Sequence, residues 1–91
     1  MKKFEERAIE VVKKLMPKSD KIEFRASIGN TSRSIEFFVW VNDEKFQCYE
    51  LADNRKINEL EMEKLFDAYA EFIRKNKEYK AGEVNKIYFV T

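Results

Sequence analysis

Apolar and polar positions along the chain follow two periods in turn. From the N-terminus, Phe4, Ala8, Val11, Val12, Leu15 and Met16 recur at the spacing of one helix face with charged side chains between them, and Pro17 ends the run. Ile22, Phe24, Ala26 and Ile28 then alternate with Lys21, Glu23, Arg25 and Ser27, the period of a half-buried strand. Gly29, Asn30 and Thr31 supply a turn into a second predicted strand over 34–41, in which Ile35, Phe37, Val39 and Val41 face one way. After the turn chemistry of Asn42, Asp43 and Glu44, a third strand is expected over 45–51, with Phe46 and Cys48 on the inner face.

A second helix announces its own start. Asn58 stands in the N-cap position with Glu61 three residues on, and Ile57 and Met62 occupy the two staple positions around it. The buried face of this helix is Met62, Leu65, Phe66, Tyr69, Phe72 and Ile73, and it is expected to run to about Lys77. Residues 84–90 are short, β-branched and aromatic, and are expected as a last strand. The predicted order is αβββαβ: one α+β domain over residues 1–91, an antiparallel sheet with two helices packed on one face.

Composition narrows the function. A chain of 91 residues has room for one core. The single cysteine, Cys48, has no intramolecular partner, and the chain contains no histidine to activate it, so a buried thiol and a reducing cytoplasmic setting are expected. The sixteen N-terminal residues carry too many charges for a signal peptide, and no stretch is apolar enough to span a membrane. No glycine-rich phosphate loop, nucleophile elbow, CxxC or HExxH motif occurs, so neither catalysis nor a cofactor is expected.

Charge is balanced overall at +1 but unevenly placed. Residues 1–33 hold nine basic and five acidic side chains, 34–73 four and ten, and 74–91 five and two. An acidic middle disfavours a generic nucleic-acid binder, which would cluster lysine and arginine against phosphate. Within that middle, Glu59, Glu63, Asp67 and Glu71 fall at i, i+4 along one ridge of the second helix. Each such pair is expected to repel by roughly a few tenths of a kcal/mol. The ridge is expected to be a solvated face or a docking surface that a basic partner would relieve; an all-oxygen metal site or acid-base chemistry is the remaining reading, and nothing nearby would tune one carboxylate against another.

A second candidate surface comes from the strands. Alternation places Phe38 and Trp40, Tyr49 and Tyr88 on the sheet face away from the helices, among Glu23, Arg25, Glu36, Gln47 and Lys86. Exposed aromatics there would mark a contact surface, whereas mutual packing or cover by a loop would make them structural.

Taken together, the chain resembles the YezG-type family of bacterial immunity proteins. The likeness rests on the charged first helix closing with Leu15, Met16 and Pro17, the strand from Lys21 to Ile28 and the small-residue turn from Gly29 to Ser32. It continues through the aromatic strand Ile35, Glu36, Phe37, Phe38, Val39 and Trp40, the acidic helix from Glu59 to Phe72, and the closing strand from Asn85 to Val90. The resemblance implies a cytoplasmic protein that binds one cognate toxin domain, often a nuclease, and blocks its active site or substrate groove. The partner is expected to be a protein, in the setting of bacterial competition, and the chain itself a monomer or a weak homodimer. A type III secretion-type chaperone, which would bind an effector segment, and a small RNA-binding α+β module share enough of this pattern to stand as alternatives.

Overall fold

The two-residue hairpin loop Asn42-Asp43 sets the register of the sheet. Both residues take positive φ, 51° and 65°, as a type I′ turn requires, and Asn and Asp tolerate that region better than most side chains. The loop closes on the pair Val41 and Glu44, so Trp40 faces Lys45 and Phe38 faces Gln47.

The computed structural model describes residues 2–91. Its elements are α1 (Lys2–Leu15), β1 (Lys21–Ile28), β2 (Arg33–Val41), β3 (Glu44–Gln47), α2 (Cys48–Asp53), α3 (Glu59–Arg74) and β4 (Asn85–Val90). The strands form one antiparallel sheet in the order β3-β2-β1-β4. The α+β class and the two long helices on one face match the pattern. The last strand lies along β1, at the edge opposite β3.

The core lies between that helical layer and the inner rows of the strands. Phe24 of β1 meets Tyr69 of α3 edge-on at 5.2 Å between ring centroids, and stacks on Phe89 of β4 at 5.6 Å. Phe37 of β2 meets Phe66 of α3 edge-on at 6.1 Å. The Tyr69 hydroxyl, the polar atom of an otherwise apolar contact, donates to the Phe4 carbonyl at 3.0 Å, so its burial leaves no unsatisfied donor.

The third strand is shorter than expected. It ends at Gln47, and Cys48–Asp53 forms a helix. The alternation of Phe46 and Cys48 continues a strand, but Cys48, Leu51 and Ala52 also stand at i, i+3 and i+4, and these three are the residues the helix buries. The cap decides between the two periods: the Gln47 side-chain oxygen accepts the N–H groups of Tyr49 at 2.8 Å and Glu50 at 3.1 Å, satisfying two otherwise orphaned donors. The helix closes in a Schellman motif. Lys56 N–H bonds to Leu51 C=O at 2.8 Å and Arg55 N–H to Ala52 C=O at 3.0 Å, with Arg55 at φ 59° in the position glycine usually fills.

The caps of α3 are as anticipated at its start and earlier than anticipated at its end. Asn58 accepts the Glu61 N–H at 2.9 Å. The helix stops at Arg74 rather than near Lys77, where the Asn76 side chain accepts the Glu78 N–H at 2.9 Å and turns the chain. Arg74 then ties this end to the β1–β2 turn, donating to the carbonyls of Gly29 and Ser32, each at 2.9 Å. In the segment returning to β4, Asn85 accepts the Lys80 N–H at 3.1 Å, and the Tyr79 hydroxyl donates to Asn30.

Candidate partner-binding face

Since α1 and α3 share one side of the sheet, no helix of the described residues covers the other. The register puts Phe38 and Trp40 of β2, Glu23 and Arg25 of β1, and Tyr88 and Val90 of β4 on that open side. Tyr88 is 60% exposed and Val90 45%, while Phe38 and Trp40 are half-buried.

Cations lie over the two half-buried β2 aromatics. Lys45, across the hairpin from Trp40, holds its ammonium 4.4 Å from the Phe38 ring centroid and 4.9 Å from that of Trp40. Lys21, on the opposite side of Trp40, lies 4.7 Å from the same ring. Arg25 lies 5.5 Å from Tyr88. These are attractive contacts with the negative ring faces.

At the centre of the face is a buried carboxylate. Glu23 accepts hydrogen bonds from Arg25 at 3.0 Å and from the Tyr88 hydroxyl at 3.2 Å, and its other oxygen lies 3.6 Å from the Lys45 ammonium. One side chain of β1 thus joins groups from β3 and β4 across the sheet. The Arg25 hydrogen bond, with help from Tyr88 and Lys45, holds the Glu23 carboxyl below its ordinary value of 4.5, although burial works the other way.

Tyr49 does not belong to this face. Because β3 ends at Gln47, Tyr49 sits in α2, where its hydroxyl donates to the Ile35 carbonyl at 3.2 Å and its ring meets Phe66 edge-on at 6.4 Å. Phe38, Trp40 and Tyr88 therefore share the sheet surface and Tyr49 stands at its rim.

The carboxylate ridge of α3 is present but is largely paired within the chain. Arg33 of β2 donates to Asp67 at 2.7 Å and lies 3.5 Å from Glu63, and Arg74 bonds Glu71 at 2.9 Å. Burial draws the Arg33 guanidinium down, yet Asp67 and then Glu63 hold it above its ordinary value. Glu59 alone of the four makes no ion pair among the described residues. The repulsion expected along the ridge is thus offset by an arginine from a neighbouring strand and another from the helix's own last turn.

Cys48 is fully buried, and burial pushes its thiol up to about 11, the opposite of what a nucleophile needs. No three Asp, Glu or Cys side chains among the described residues converge as metal ligands would, and no helix is long and apolar enough to cross a membrane.

The sequence pattern identified the aromatics of the face but not their lysines. Lys21 and Lys45 lie on the outer parity of their strands, and a two-residue hairpin loop makes Lys45 the cross-strand neighbour of Trp40. That signal was readable once the loop length was settled. No family model, curated protein or solved structure matches the chain.

Proposed function

We propose that this chain is a protein-binding module of the bacterial immunity class, which docks on a cognate toxin domain through its open sheet face and neutralises it by occluding the active site or substrate groove. The observation that carries the reading is the uncovered side of the sheet, where Trp40, Phe38 and Tyr88 are held in place by cations and by the Glu23 hub. Aromatic side chains fixed in one orientation lose little entropy when a partner covers them, which makes them frequent interface anchors. The sheet is a stronger candidate than the acidic ridge, because three of the ridge carboxylates already stand in ion pairs with Arg33 and Arg74, although one Glu63 oxygen is left buried without a hydrogen-bond partner. The immunity class itself comes from the family resemblance.

The test is protection in a cell. When a toxin domain from a gene neighbouring this one is expressed in a cell, co-expression of this chain is expected to restore growth. Trp40→Ala with Tyr88→Ala should abolish protection by a protein that still folds, with the melting temperature lowered by the loss of the Tyr88 bond to Glu23 and of the Trp40 cation contacts, each truncation weakening the complex by about 2 kcal/mol, or roughly thirtyfold. Full protection by the folded double variant would rule out the sheet as the docking surface.

A further inference from the structure

Resting on the reading of the open sheet as a docking face, we propose that the partner element it takes is an acidic protein segment, with carboxylates meeting the Trp40 end and apolar side chains meeting the β4 end. Outward side chains of the face include four cations, Lys21, Arg25, Lys45 and Lys86, against two carboxylates, Glu23 and Glu36. Both carboxylates are engaged. Glu23 holds Arg25, Lys45 and Tyr88, and Glu36 accepts the Gln47 amide at 3.0 Å. Lys21 and Lys86 have no ion-pair partner among the described residues. Of the acidic groups at the hairpin end, Glu44 has the opposite parity, the Asp20 carboxylate is engaged by the Asn42 N–H at 3.1 Å, and Asp43 stands in the two-residue loop beyond the paired strands.

Position matters as much as count. The Lys21 and Lys45 ammonium groups lie over the Trp40 ring, so an incoming carboxylate pairs with them where they already stand. A nucleic-acid base could stack on Trp40 only after displacing them, which favours the protein segment over single-stranded nucleic acid. The apolar half of the site is Tyr88 with Val90, two strands away from β2. Neighbouring strands lie about 4.8 Å apart, so the partner's acidic and apolar side chains should be separated by roughly 10 Å.

The experiment is selection of a displayed library of short random peptides on the intact protein, followed by fluorescence anisotropy of the enriched peptides at low and moderate salt, with oligothymidine as a parallel ligand. Enriched peptides should combine Asp or Glu with Leu, Ile or aromatic residues and weaken as salt rises. Lys21→Glu with Lys86→Glu removes two cations that have no ion-pair partner among the described residues and should weaken binding at least about tenfold, while the melting temperature falls only slightly through loss of the Lys21 contact with Trp40. Lys14→Glu on α1 should leave binding unchanged. Enriched peptides that are basic or uncharged yet lost on Trp40→Ala would overturn the acidic partner and leave the docking face standing. Peptides indifferent to Trp40 and to both lysines, or no enrichment, would overturn both readings, and oligothymidine bound more tightly than any peptide would replace the protein partner with nucleic acid.

Discussion

Glu23 is the residue on which the arrangement of the open face turns. A carboxylate with an 11% exposed side chain on an otherwise solvated sheet surface survives there because Arg25, Lys45 and Tyr88 all address it. Its carboxyl titrates below 4.5 when folded, so the charged form is the one the fold favours. The stabilisation is fully present above the ordinary value and is lost as pH falls through the lower folded value. Glu23→Gln should lower stability at neutral pH by about 1 kcal/mol, and the gap from the parent should close as pH drops below 4.5, in urea melts run across that range. A gap that stays constant with pH would mean that the charge of Glu23 contributes nothing. Cys48 offers a second reading at this scale. With its thiol near 11 rather than 9.0, it has about a hundredfold less thiolate at neutral pH, before any steric protection is counted. Thiol reagents should label it slowly in the native protein and rapidly in denaturant, and fast native labelling would place it outside the core.

Among the elements, α1, β1 and the start of α3 were legible because one period dominated each and a proline or an Asn58 cap marked a boundary. The end of the third strand was not. Residues 46–52 satisfy both a period of two and helical spacing, and what settles the choice is the Gln47 side chain bonding two N–H groups, a cap that glutamine rarely provides. The consequence reached the candidate site, since Tyr49 was placed on the sheet by a strand that does not extend that far. Arg55 shows the strain left in this element. Its φ of 59° puts an ordinary side chain in the left-handed region, so Arg55→Gly should raise stability by roughly 0.5–1 kcal/mol, read as an upward shift in melting temperature. A lower melting temperature would mean that the Arg55 side chain makes up for its backbone. On α3, the carboxylate ridge was legible from i, i+4 spacing, but Arg33 lies 34 residues from Asp67 in the chain, and no local pattern shows such a partner. Glu63→Lys with Asp67→Lys would set ammonium groups against Arg33. It should therefore lower stability by about 1 kcal/mol, where a ridge of unpaired carboxylates would have been relieved. Calorimetric melts of the double variant distinguish the two signs.

The whole molecule is a two-layer design used on one side only. Two long helices and the short α2 close one face of a four-stranded sheet, and the other face carries a surface of aromatics, cations and one central carboxylate. Alternation alone divided the strands into inner and outer rows, so the candidate face was largely legible at this scale. The cross-strand ties that orient it depend on β4 lying beside β1, which nothing local in residues 85–90 specifies. Trp40 is the only tryptophan in the chain, and it sits in this face. Protein labelled with fluorotryptophan therefore gives one fluorine NMR resonance, from Trp40, whatever unlabelled partner is added. Under the proposed function, titration with a cognate toxin domain should shift or broaden that line in step with complex formation measured by calorimetry. A tight complex that leaves the Trp40 resonance unmoved would contradict docking through the open sheet.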